Sequence, residues 1–143
     1  MNQSTLADVA HVIQLSVAPV FLLTSVGTFL AVLSTRLHRI VDRARILRDR
    51  IPHLPPDEAQ SVRGELHVLA SRRHLINVAI TAGVCTALMV CLLIALAFIG
   101  SVWGVNMSVL VAVMFVAAMG AFVVALISFL REVLLAVASI RID

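Results

Sequence analysis

Apolar residues gather in three runs along the chain, at residues 12–33, 77–99 and 107–130, and no aspartate, glutamate, lysine or arginine interrupts any of them. About 20 apolar residues carry a helix across the hydrocarbon core of a bilayer, so each run is long enough to span it. The first run is the least apolar. Its thirteen Leu, Ile, Val and Phe residues still contribute about −4 to −8 kcal/mol to insertion, with nothing ionised inside to oppose them. The pattern predicts an all-α integral membrane protein with three transmembrane helices.

The helical period does not stop at the end of the first run. Leu37, Ile40, Val41, Ala44, Leu47 and Ile51 recur at spacings of three and four, while Arg36, Arg39, Arg43 and Arg50 fall on another face. That is the amphipathic pattern of a helix, so the first span should continue as one helix to Ile51. Pro52, Pro55 and Pro56 then break it, because proline removes backbone donors and forces extended geometry on the residue before it. Asp57 and Glu58 follow at once, which puts negative charge in the first turn of a new helix with Pro56 at its N1 position.

On that second arm Ala59, Val62, Leu66 and Leu69 form an apolar seam that matches the first. The two arms should zip together antiparallel and stand roughly 24 Å tall at 1.5 Å per residue. No glycine or proline falls between Glu65 and Ala82, so the second arm should run straight into the second span. The expected organisation is a first span at 12–35, a helical hairpin at 36–75, a second span at 76–99, a turn at 100–106, a third span at 107–130 and an amphipathic tail at 131–143. Val133, Leu134, Leu135, Val137 and Ile140 should lay the tail along the inner leaflet or the hairpin base.

Lipid gives helices no hydrophobic reason to associate, so close backbone approach must do it. Ala79, Gly83 and Ala87 sit four apart on the second span, and Ala117, Ala121 and Ala125 repeat the spacing on the third. These two faces are expected to meet.

Charge then fixes orientation. All eleven basic residues are arginine, and nine of them lie between Arg36 and Arg73. With five acids (Asp42, Asp49, Asp57, Glu58 and Glu65) residues 36–74 carry nine minus five, or +4. Arginine-rich loops stay inside, so the hairpin is expected in the cytosol, the amino terminus outside, and Arg131 and Arg141 inside. Asp8 before the first run and arginines after it are the reverse of a secretory signal, which should leave that segment attached. Anionic lipid headgroups are the expected partners of Arg36, Arg39, Arg43, Arg50, Arg72 and Arg73, at about 1 kcal/mol each near the surface; nucleic acid is not needed to account for the charge.

One face of the first helix is polar. Positions 11, 14, 18, 21, 25, 28, 32, 35, 39 and 42 follow a seven-residue repeat that collects His11, Gln14, Ser25, Thr28, Thr35, Arg39 and Asp42, interrupted by Ala18, Phe21 and Val32. Pro19 lies beside it and should bend the helix. Hydroxyl side chains are tolerated in membrane helices as helix-to-helix contacts. A second reading is that this face lines a water-filled path at the centre of a homo-oligomer. Gln14, Ser25, Thr28 and Thr35 would then be pore-lining, Phe21 and Val32 would be constrictions, and the arginine face would form a positive inner vestibule.

Other chemistry is sparse. Cys85 and Cys91, six apart on the second span, are expected to be buried, reduced packing residues. His38, His53, His67 and His74 read as solvated surface residues of the hairpin, with His38 within about a turn of His67. His11 and Asp8 lie one turn apart, where capping or an interfacial pair is expected. Arg39 with Asp42 and Arg45 with Asp49 have the spacing of helix-surface pairs. No catalytic constellation, metal site or cofactor motif emerges, and an enzyme is not expected.

The blocks Gln14-Leu-Ser-Val-Ala-Pro19 and Arg39-Ile-Val-Asp-Arg-Ala-Arg45, with Arg72-Arg-His-Leu-Ile-Asn77, resemble the bacterial membrane family labelled domain of unknown function 2721, over about residues 9–135. The resemblance implies a small multi-span bacterial protein and no settled activity. The sequence as a whole points to a self-associating inner-membrane protein, as a channel-like pore, or alternatively to a non-transporting scaffold or accessory subunit that docks a cytosolic partner or a larger membrane complex through its basic hairpin.

Overall fold

The computed structural model describes residues 2–141. Helix α1 runs over Gln3–Arg50, a short 3-10 turn over Ile51–His53, helix α2 over Pro56–Trp103 and helix α3 over Ser108–Ile140. All three helices are long and apolar enough to cross a membrane. In their most apolar 18-residue windows only 11%, 22% and 11% of the residues are buried against the rest of the chain. The apolar side chains therefore point outward, as lipid and not water requires.

Both expected continuities are present. α1 passes unbroken through Pro19, whose ring is buried, and ends where Pro52 and Pro55 withdraw backbone donors. α2 opens on Pro56, and its first helical bond runs from Ala59 N–H to the Pro55 carbonyl at 2.9 Å. It then continues without interruption to Trp103.

The chain packs as two units. The first joins α1 up to Leu30 with Ala82–Val123. Val90, Leu93 and Ala118 form its core, covered by Leu22, Met89, Ile94, Val111 and Met114. Thr86, fully buried, donates its hydroxyl to Ala82 O at 2.9 Å and also approaches Ala118 O on α3 at 3.3 Å, so one side chain bridges two helices where water cannot reach. Phe29 meets Phe122 edge to face, centroids 5.7 Å apart and planes at 89°.

The turn between α2 and α3 is tight. Gly104 adopts φ +67, a left-handed conformation that favours glycine after a helix end. Asn106 Oδ1 accepts from Ser108 N at 3.1 Å and from its hydroxyl at 2.7 Å, which caps α3.

The second unit joins Ala31–Thr81 with α3 from Val124. Its buried residues on α1 are Leu33, Ile40 and Leu47, seven apart, and on α2 they include Ala59, Leu69, Ile76 and Ala79. α3 runs unbroken through the expected tail as far as Ile140; residues 142 and 143 of that tail lie outside the described residues.

Candidate functional site

Three features bear on function: the outward face of α1, an ionic clamp in the second unit, and a groove along the hairpin. The packing of α1 defines its outward face. α1 buries Pro19, Val26, Leu33, Ile40 and Leu47, a seven-residue stripe that keeps one side of a long helix on its neighbours. Every position of the opposite polar stripe is exposed: His11, Gln14, Ala18, Phe21, Ser25, Thr28, Val32, Thr35, Arg39 and Asp42. Phe21 is 70% exposed. The hydroxyls of Ser25, Thr28 and Thr35 donate to their own helix, to Phe21 O, Thr24 O and Ala31 O, each at 3.1 Å. Each hydroxyl oxygen thereby keeps acceptor capacity turned outward, while Gln14 has no hydrogen-bond partner among the described residues.

The clamp was not expected. Glu132 on α3 has no exposed surface. Its Oε2 accepts from Arg36 Nη1 at 2.8 Å. Its Oε1 accepts from Arg72 Nε at 3.0 Å and Nη2 at 2.9 Å. Arg36 also lies over the Phe129 ring, 5.2 Å from its centroid, a cation–π contact. One carboxylate thus ties all three helices, and Arg36 and Arg72, two of the six arginines expected on lipid headgroups, are turned inward upon it. The reason is geometric: a carboxylate buried between two guanidiniums can be stabilised only by charge-assisted hydrogen bonds to them.

A sequence signal for this residue existed. Ala118, Ala125 and Glu132 are seven apart and all buried, so Glu132 continues the packed stripe of α3. Reading residues 131–143 as a tail hid that register.

The remaining arginines divide. Arg43 pairs with Glu65 across the hairpin at 3.1 Å, with side chains 52% and 45% exposed. Arg39, Arg50 and Arg73 are exposed and form no ion pair among the described residues. The pairs expected within α1, Arg39 with Asp42 and Arg45 with Asp49, are likewise not formed, and all four side chains are exposed. The Arg43–Glu65 pair is solvated, so Arg43→Ala is expected to change stability by less than about 1 kcal/mol in a melting experiment.

The small residues of α2 and α3 differ in where they pack. Gly83 makes its close approach to α1: a Cβ there would lie 2.9 Å from Leu30 Cδ2. On α3 Ala117 is exposed and Ala118 takes the packed position beside Thr86, while Ala121 is half-buried and Ala125 buried. On α2 Ala79 is buried and Ala87 half-buried. A repeat of four drifts around a helix, whereas the stripe that packs alternates three and four. The same stripe passes by Cys85 and Cys91, which are exposed and not buried.

His11, His38, His53, His67 and His74 are all exposed. Asp8 and His11 form no bond to each other and instead border a cavity of about 880 Å³ in the first unit, beside Pro19 and the α2–α3 turn. The groove lies in the second unit, between the hairpin arms, with a volume of about 570 Å³.

No curated protein and no solved structure matches the chain. The family described as Protein of unknown function (DUF2721) matches residues 16–142, including the Arg–Glu–Arg clamp and most of the outward face of α1, and the chain belongs to that family.

Proposed function

We propose that the chain is a bacterial inner-membrane protein, amino terminus outside and carboxyl terminus in the cytosol, that self-associates through the outward face of α1 and forms a channel-like pore there. One observation carries this reading: ten consecutive positions of a polar seven-residue repeat are exposed, while the opposite stripe of the same helix is buried. Hydrocarbon is a poor neighbour for Gln14, which lacks a partner among the described residues, and polar groups left unpaired in lipid cost free energy. A second copy or a column of water relieves that cost. Three helices per chain do not enclose a path alone, so a ring of copies is required.

In such a ring the outward oxygens of Ser25, Thr28 and Thr35 would line the water path, with Phe21 and Val32 as apolar constrictions. The inner vestibule differs from the sequence expectation in one respect. Arg36 and Arg43 are engaged by Glu132 and Glu65, so Arg39 is the arginine left on this face to attract anions. No catalytic role is proposed for any residue.

Purified protein in liposomes should pass small ions, and Thr28→Leu should reduce the flux by placing a leucine side chain in the path. A lack of conductance across voltage, pH and membrane tension removes the pore. A single-copy mass in nanodiscs removes self-association as well, and leaves the reading of a non-transporting accessory subunit.

A further inference from the structure

The groove between the hairpin arms has an apolar floor of Ile40, Val41, Ala44, Leu66, Leu69 and Ala70. Its rim carries Arg45, Arg48 and Arg73, with His74 beside them and Asp49 as the single acid. None of the three arginines forms an ion pair among the described residues, although Arg36, Arg43 and Arg72 all do. α3 contributes no residue to the lining. The groove is therefore a long apolar trough between two helices, edged by unneutralised guanidiniums.

Three properties select its occupant. The lining extends along α1 from Ile40 to Asp49 and along α2 from Leu66 to Asn77, which is about 15–18 Å of helix, or three turns. A lipid phosphate is held at one level of such a groove and leaves most of the floor in water. The net charge of +4 on residues 36–74 repels the hairpin of a second copy. What fits is a segment that is apolar on one side, negative at the edges and about three turns long.

We propose that this groove docks an acidic amphipathic helix of a cytosolic partner protein. Its apolar stripe covers the floor, in the manner of helix-in-groove recognition, and its carboxylates pair with Arg45, Arg48 and Arg73. Arginine suits this role because its planar fork meets a carboxylate at two points. The inference requires the hairpin to lie in the cytosol, and it holds whether or not α1 lines a pore.

The test uses the full-length protein in zwitterionic nanodiscs and a fluorescent peptide of about 18 residues, with leucines at i, i+3, i+4 and i+7 and glutamates flanking them. Empty nanodiscs give the background. Fluorescence anisotropy should show saturable binding at one peptide per chain. Replacing all three arginines, as Arg45→Ala with Arg48→Ala and Arg73→Ala, should weaken it about tenfold or more. These side chains are on the rim, so the variant retains its fold. Ala70→Trp, which fills the floor and leaves every charge in place, should weaken binding comparably, and Arg131→Ala, on α3 and outside the groove, should leave it unchanged. Absence of binding overturns the proposal, as does equal binding of a scrambled peptide or of one with lysine for glutamate, or an Ala70→Trp protein that binds as before. If anionic phospholipid in the nanodisc displaces the peptide and is itself retained through the three arginines in native mass spectrometry, the groove is a lipid site and the proposal fails.

Discussion

Glu132→Ala is expected to destabilise the protein by about 3 kcal/mol, because it removes the shared partner of two inward-turned guanidiniums. The penalty comes from what is left behind. A buried carboxylate between two arginines is not strongly stabilising in itself, since desolvation offsets most of the attraction. Its removal leaves Arg36 and Arg72 facing each other with like charge and no acceptor. Their side chains are 35% and 20% exposed, so water relieves part of that cost, and the estimate stays at the lower end of the about 3–5 kcal/mol usual for broken buried pairs. Thermal unfolding of purified protein, followed by loss of helical circular dichroism or by protease sensitivity of the hairpin, reads the effect. Replacing the whole clamp, with Arg36→Met, Arg72→Met and Glu132→Leu together, should return stability close to that of the native chain. A Glu132→Ala protein that melts like the native one would mean that the clamp contributes nothing to holding the helices together.

Leu47→Ala and Leu33→Ala make the second prediction, as a pair. Both leucines lie on the buried stripe of α1, at 2% and 0% exposure, and the substitution removes the same atoms. Under the proposed topology, which puts residues 12–35 in lipid and the hairpin in water, their costs diverge. The unfolded hairpin exposes Leu47 to water, so Leu47→Ala loses both transfer free energy and packing, about 2–5 kcal/mol. Leu33 leaves its neighbours for hydrocarbon, where there is no transfer penalty, and its truncation costs only the packing part, smaller by about 2 kcal/mol. Unfolding measured in mixed micelles for the two variants checks this. Equal losses would place both leucines in the same surroundings and move the membrane boundary along α1.

Much of the fold was legible because its strongest signals are local. The run of proline after Ile51 ends one helix wherever the rest of the chain lies, and Pro56 with Asp57 and Glu58 starts another. Apolar length alone marked three helices long and apolar enough to cross a membrane. The polar stripe of α1 was readable for the same reason, since a seven-residue period is a property of one segment. What the sequence hid depends on which helix meets which. Ala117 and Ala118 are both small and apolar, and only the contact of Ala118 O with Thr86 separates the packed one from the exposed one. Gly83 promised close approach but could not say that α1 and Leu30 would use it. Glu132 was the largest omission, because a lone acid next to Arg131 at the end of an apolar run resembles a solvated helix end. Its meaning lies in partners 96 and 60 residues away.

Those separations also order events during synthesis. Arg36 and Arg72 leave the ribosome 96 and 60 residues ahead of Glu132, so both guanidiniums must wait, hydrated, while the third helix is still being made. A polypeptide terminated before residue 132 never acquires the anion that joins its helices. The ionic tie between the helices can therefore close only once the third helix has been made through residue 132, and not in stages as the first two emerge.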